Sequence, residues 1–195
     1  MRTYRAANLS VLWFLIALNV ILFVITLIRP ETIYFLGLTP ALLSKQPWTI
    51  ISSMFVHGSF WHIIVNMISL YFLGSFMLRA VGEKSFLAIF FLGGLVGNGL
   101  YFLFGPQLIP GVGASGGIFA LAGALAIMVP RVPVLLFPIP IPIPLWIAIL
   151  IFFFILVILP MLIQTRIAWQ AHLGGLCLGL VAGLIYKKRR RIYYF

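Results

Sequence analysis

Acidic side chains are almost missing from this 195-residue chain: there is no aspartate, and Glu31 and Glu83 are the only carboxylates against 13 Lys and Arg. Paired membrane aspartates are therefore unavailable for an aspartyl mechanism, and no HExxH exists for an intramembrane zinc protease. Cysteine is scarce too; Cys177 alone rules out an internal disulfide and any CxxC chemistry. Charge of either sign makes up 8% of residues, where a soluble domain carries about a quarter. With 64% hydrophobic residues and a mean hydropathy of +1.21, the chain reads as a polytopic membrane protein.

Apolar runs predict six membrane spans, at about 11–28, 59–78, 85–104, 115–129, 145–160 and 171–186. The first run is too long for a signal peptide and no small-x-small site follows, so it is expected to be retained. Segment 29–47 is too polar to span and should form a structured loop. The second and third spans are divided by Arg79, Glu83 and Lys84. The fourth, at 1.5 Å per residue, covers only about 22 Å of a hydrocarbon core roughly 30 Å thick, so its start should lie in a dip below the surface. Segment 130–144 holds six prolines and cannot be helical, which makes it an extended connector. The fifth span should end near Pro160. The expected fold class is an all-α membrane protein: one domain over residues 1–195, a compact bundle of six transmembrane helices with a structured loop between the first and second.

Six spans put both termini on one side. With that side cytoplasmic, the inner segments hold Arg2, Arg5, Arg79, Lys84, Arg131 and the tail Lys187-Lys188-Arg189-Arg190-Arg191, and the outer ones Arg29, Lys45 and Arg166. Ten against three satisfies the positive-inside rule and predicts a multi-pass protein of the cell membrane. The net charge of +11 is thus an orientation signal touching anionic lipid rather than a nucleic-acid footprint.

The even-numbered spans then all begin on the outer side, and each carries polar residues there. The second has His62 and Asn66, the fourth Ser115, the sixth His172. Intramembrane polar groups are costly and usually face a bundle interior, so four at one depth suggest a site. His62 and Asn66, spaced i and i+4, share a helix face. His172 shares a stripe with Gly175, Gly179 and Gly183, which admits a neighbouring backbone. Ser115, on a stripe with Ala122 and Ala126, could pack against it. Alone, Gly113-Ala114-Ser115-Gly116-Gly117 reads first as an N-cap and tight turn. Beside an imidazole, the hydroxyl becomes an activated nucleophile, with His172 as base and His62, Asn66 and the Ser115 N–H as oxyanion donors. No carboxylate is placed to be a third member, so the expectation is a dyad. A metal site from His57, His62 and His172 is an alternative that leaves Ser115 and Asn66 without a role.

In these motifs the sequence resembles the rhomboid intramembrane serine proteases: Gly113-Ala114-Ser115-Gly116, His57 followed by His62-x-x-x-Asn66, and Ala171-His172-x-x-Gly175-x-x-x-Gly179. The resemblance covers nearly the whole chain. It implies nucleophile Ser115, base His172, and oxyanion contacts from His62, Asn66 and the Ser115 backbone, with no cofactor or metal. It further implies that the fifth span and loop 164–169 gate a water-filled cavity, and that the partners are single-span membrane proteins cut near the outer face. Two departures stand out: Thr49 follows Trp48 where many relatives carry Arg, and Phe119 replaces a Tyr that stacks on the histidine. The alternative functions are a catalytically inactive rhomboid-like protein that binds membrane clients, and a small transporter, which predicts inverted repeats that do not occur.

Other polar residues have simpler expected roles. His57 is a loop hydrogen-bonder or a site residue, Asn98 a helix-to-helix hydrogen bond, and Cys177 packing. Ser52, Ser53, Ser69 and Ser75 are expected to bond backbone.

Overall fold

The computed structural model describes residues 8–135, 141–163 and 167–189. Arg2, Arg5, Pro138 and Pro140 of the connector, Arg166 with much of loop 164–169, and the end of the basic tail lie outside the described residues.

Long apolar helices dominate. They are α1 (Ser10–Ile28), α2 (Phe60–Val81), α3 (Glu83–Phe104), α4 (Ser115–Met128), α5 (Leu145–Phe153) and α6 (Trp169–Arg189). By length and hydropathy α1, α2, α3 and Trp169–Lys187 of α6 can cross a membrane, whereas Ser115–Met128 and Leu145–Ile158 are apolar but shorter. The surface is inverted relative to a soluble protein. Phe14, Ile28, Phe72 and Leu103 point outward, while Asn19, Asn66, Gln170 and His172 are buried. Only a lipid surround makes that distribution favourable, and the chain is a helical integral membrane protein.

Local chemistry sets the helix ends. Ser59, in an extended conformation, caps α2 by accepting from the His62 N–H at 3.2 Å. Gly82, with φ of +82°, is the whole break between α2 and α3. Arg79, Glu83 and Lys84 are therefore helical rather than parts of a polar loop. Between α1 and α2 the chain forms short turns of helix at Thr32–Leu36, Pro40–Leu42, Thr49–Ser52 and Ser53–Phe55. Their backbone is tied to the segment ahead of α4: Leu38 and Gly111 exchange two hydrogen bonds, and the Gly113 N–H donates to the Ser53 carbonyl at 2.9 Å.

Within the proline-rich connector, the described parts pair as an antiparallel ribbon, β1 (Pro133–Val134) against β2 (Ile143–Pro144). The fifth helix ends near Pro160, at Leu162, but not regularly. Beyond Phe153, α5 continues through a π-helical stretch, Phe154–Ile158, into a last turn, Leu159–Leu162, and α5 includes both.

Packing is most extensive between α4 and α6, with α3 against both. Glycine makes this possible. A Cβ at Gly175, Gly179 or Gly183 would strike the carbonyl oxygen of Gly116, Ala120 or Ala124 respectively. The α4 stripe that meets α6 is thus Gly116, Ala120 and Ala124, not Ser115, Ala122 and Ala126 as periodicity alone suggested. The reason is steric: a backbone-to-backbone crossing needs the smallest side chains at the seam, and Ser115 sits at its edge, reaching across to His172. On the other flank, Gly93 faces Ala120, and a Cβ at Gly97 would strike the Ala171 carbonyl oxygen. Leu12, Leu70, Met77, Phe86, Phe90 and Leu121 fill the interior around these helices.

Candidate functional site

Ser115 is the first residue of α4, but its hydroxyl does not cap the helix. The residue at the cap position is Ala114, and no side-chain hydrogen bond caps the helix there. The expected capping role is therefore not the one the serine has. Its Oγ lies 2.8 Å from Nε2 of His172, 57 residues away. Gly113 prepares this geometry. Its φ of +124° lies in the region that side-chain-bearing residues rarely adopt. A Cβ there would meet Nε2 of His62 at 2.7 Å and Ser115 Oγ at 3.7 Å. The His62 ring and the serine hydroxyl thus flank the same glycine.

His172 is 6% exposed and held on every side. Phe119, one turn into α4, stacks on it with centroids 4.8 Å apart and planes 15° from parallel. Its second nitrogen, Nδ1, is 2.8 Å from the Leu156 carbonyl oxygen in the π-helical stretch of α5. A carbonyl can only accept, so Nδ1 carries the proton and Nε2 offers its lone pair to the serine hydroxyl. That is the tautomer a general base needs.

Asn66 is buried one turn below His62. Its Nδ2 donates to the His62 carbonyl at 2.8 Å, and its Oδ1 has no partner. The amide has two hydrogens, so one donor remains for another acceptor. His57 has no exposed surface and packs edge-on against His62, with centroids 4.9 Å apart. Neither of its ring nitrogens makes a well-formed hydrogen bond. Burial, and after it the neighbouring His62, pulls the His57 imidazole down to about 3. It stays neutral at ordinary pH and faces His62 and Asn66 as well as the Phe55 backbone of its own loop. Among the described residues, no three of His, Cys, Asp and Glu gather as metal ligands would.

Two residues sit differently from their expected roles, while Asn98 does bond a helix, though a short one. It donates to the Ile50 carbonyl in the turn Thr49–Ser52 at 2.8 Å and to Ser53 Oγ at 2.9 Å, anchoring the segment that holds Gly113. Cys177 is exposed on the outer face of α6 rather than packed. Ser53 accepts from a side chain, whereas Ser52 and Ser75 do donate to backbone carbonyls. The Leu156 carbonyl was not visible in the sequence because a backbone atom has no motif. The signal that could have revealed it was Pro160, four residues on.

Fold and site together define a helical integral membrane protein in which a serine and a histidine from different helices meet in a polar interior. Residues 44–189, well over half the chain, match the Rhomboid domain family, and the chain belongs to that family. It is 29% identical over 147 residues to the Bacillus subtilis protein named "Putative rhomboid protease YdcA", a match covering 75% of this chain and 71% of that one. It is 29% identical over 146 residues to Rhomboid protein 1, mitochondrial, of Saccharomyces cerevisiae, covering 72% of this chain but 42% of the yeast protein. Inactive RHOMBOID-like protein 8 of Arabidopsis thaliana is 30% identical over 82 residues, 42% of this chain and 23% of its own length. The match thus spans less than half the length of two of these three relatives, of which one is named a protease and one inactive.

Proposed function

We propose that this chain is an intramembrane serine endopeptidase that cuts single-span membrane proteins near the outer face of the cell membrane. It crosses the bilayer six times with both termini cytoplasmic, as a single domain over residues 1–195. The short α4 then starts below the outer surface, since its 14 residues reach only about 21 Å. The observation that carries the reading is the 2.8 Å contact between Ser115 Oγ and His172 Nε2, with Nδ1 of the same ring 2.8 Å from a backbone carbonyl oxygen.

The reaction needs no metal or cofactor. Ser115 Oγ attacks the peptide carbon while its proton passes to His172 Nε2, and the carbonyl electrons become an oxyanion. The Ser115 N–H, the His62 ring and the second hydrogen of the Asn66 amide stabilise that charge. The C–N bond then breaks as Nε2 returns the proton to the leaving amine. Water then attacks the acyl carbon as Nε2 takes its proton, and the ester C–O bond breaks as Nε2 returns that proton to Ser115 Oγ, which frees the new carboxylic acid.

A fluorophosphonate probe on the purified chain in lipid tests this directly. Labelling should occur in wild type, vanish in Ser115→Ala and fall sharply in His172→Ala; labelling that survives Ser115→Ala sinks the assignment. The client-binding alternative predicts capture of a single-span reporter with neither labelling nor cleavage.

A further inference from the structure

The proposed dyad lacks the third group that usually orients a catalytic histidine. Both glutamates are exposed, Glu31 pairing with Arg29 at 3.7 Å and Glu83 opening α3. Yet the His172 ring is oriented, by a backbone atom of α5 at 2.8 Å. In a regular α-helix the Leu156 carbonyl would accept from the N–H of residue 160. That residue is Pro160, which has none. Just ahead of it the helix widens: the Leu159 N–H reaches back five residues to the Phe154 carbonyl, as in the π-turns that often occur at functional positions. The proline deprives one carbonyl of its helical donor, and that same carbonyl is the one facing His172.

We propose that Pro160 and the Leu156 carbonyl form a positioning device that holds His172 in its Nδ1-protonated tautomer, the part a carboxylate has in a three-membered serine hydrolase site. The inference rests on the Ser115–His172 reading and adds a regulatory consequence. Because the orienting atom belongs to α5 and the base to α6, any displacement of α5 from α6 releases the imidazole. The competence of the base is thereby tied to where α5 sits.

Pro160→Ala tests this by supplying the missing N–H, which competes for the Leu156 carbonyl. Nitrogen-15 NMR of the His172 imidazole, on the full chain in lipid, reads the tautomer without relying on activity. Wild type should show a protonated Nδ1 and a bare Nε2, and the variant a mixture of both forms. Fluorophosphonate labelling should slow about tenfold, the scale of one lost hydrogen bond, with probe affinity unchanged. Replacing Val157 by its α-hydroxy acid makes the Leu156 carbonyl an ester, a weaker acceptor, and should shift the spectrum the same way; it serves where the alanine variant misfolds. A wild-type proton on Nε2, or a Pro160→Ala spectrum identical to wild type, overturns the proposal. If the tautomer shifts as expected while wild type shows no Ser115-dependent labelling, the positioning device stands and the protease reading falls.

Discussion

Gly175→Ala isolates the physical requirement behind the whole site, the backbone-to-backbone contact of α4 and α6. The added methyl would collide with the carbonyl of Gly116, the residue next to Ser115. An ordinary carbon–oxygen contact is about 3.3 Å or more, so the helices must separate by on the order of 1 Å. Overpacking of this kind costs about 1–3 kcal/mol, offset by up to about 1 kcal/mol from alanine's better helix propensity. The chemical effect should exceed the stability effect. A 1 Å displacement takes Ser115 Oγ and His172 Nε2 out of their 2.8 Å hydrogen bond, and misplacement on that scale costs about 10²-fold in rate. Gly183→Ala meets the Ala124 carbonyl at 2.7 Å on the same seam two turns away, and should destabilise comparably while slowing the reaction much less. Gly99→Ala, where a Cβ meets nothing within 4 Å, is the control and should be neutral or stabilising. Thermal unfolding in detergent and the rate of fluorophosphonate labelling measure the two effects separately. A Gly175→Ala protein with wild-type melting temperature and wild-type labelling would refute the argument from close helix contact.

Asn66→Ala should cut the cleavage rate of a single-span reporter by about 10²-fold through kcat, the scale for one lost oxyanion donor; unchanged turnover removes Asn66 from the mechanism. Gly113→Ala forces a side chain into φ of +124° and against His62 at 2.7 Å, so labelling should be nearly abolished, and a variant that labels normally would show the turn to be dispensable. His57, held at about 3 against an ordinary value of 6.5, binds a proton in the unfolded chain before it can in the folded one. Stability should therefore fall as pH drops from about 6.5 toward 3, with His57 contributing up to about 1.4 kcal/mol per pH unit and no loss above that window. His57→Phe should flatten the slope of melting temperature against pH by that amount, and an unaltered slope would mean that His57 takes up its proton in the folded state.

Membrane character was legible in the sequence because it is compositional: a chain with two carboxylates and long apolar runs has no other favourable solvent. The chemistry of the site was legible in part, since Ser115, His172, His62 and Asn66 are polar where polarity is costly, and that cost marks them whatever the packing. Helix phase was less legible. An offset of two residues, about half a turn of helix, separates the stripe Ala122–Ala126 from the seam Gly116–Ala120–Ala124, and both consist of small residues, so periodicity alone does not choose between them.

Tertiary structure decided what depends on where backbone atoms point. It gave Asn98 the short helical turns between the first two spans as its partner, turned Cys177 outward, and left Gly82 as the entire break between two helices. Above all it supplied the Leu156 carbonyl. A side chain announces its chemistry in the one-letter code, but every residue has a carbonyl, and which one is left to face a histidine is settled only when two distant helices pack.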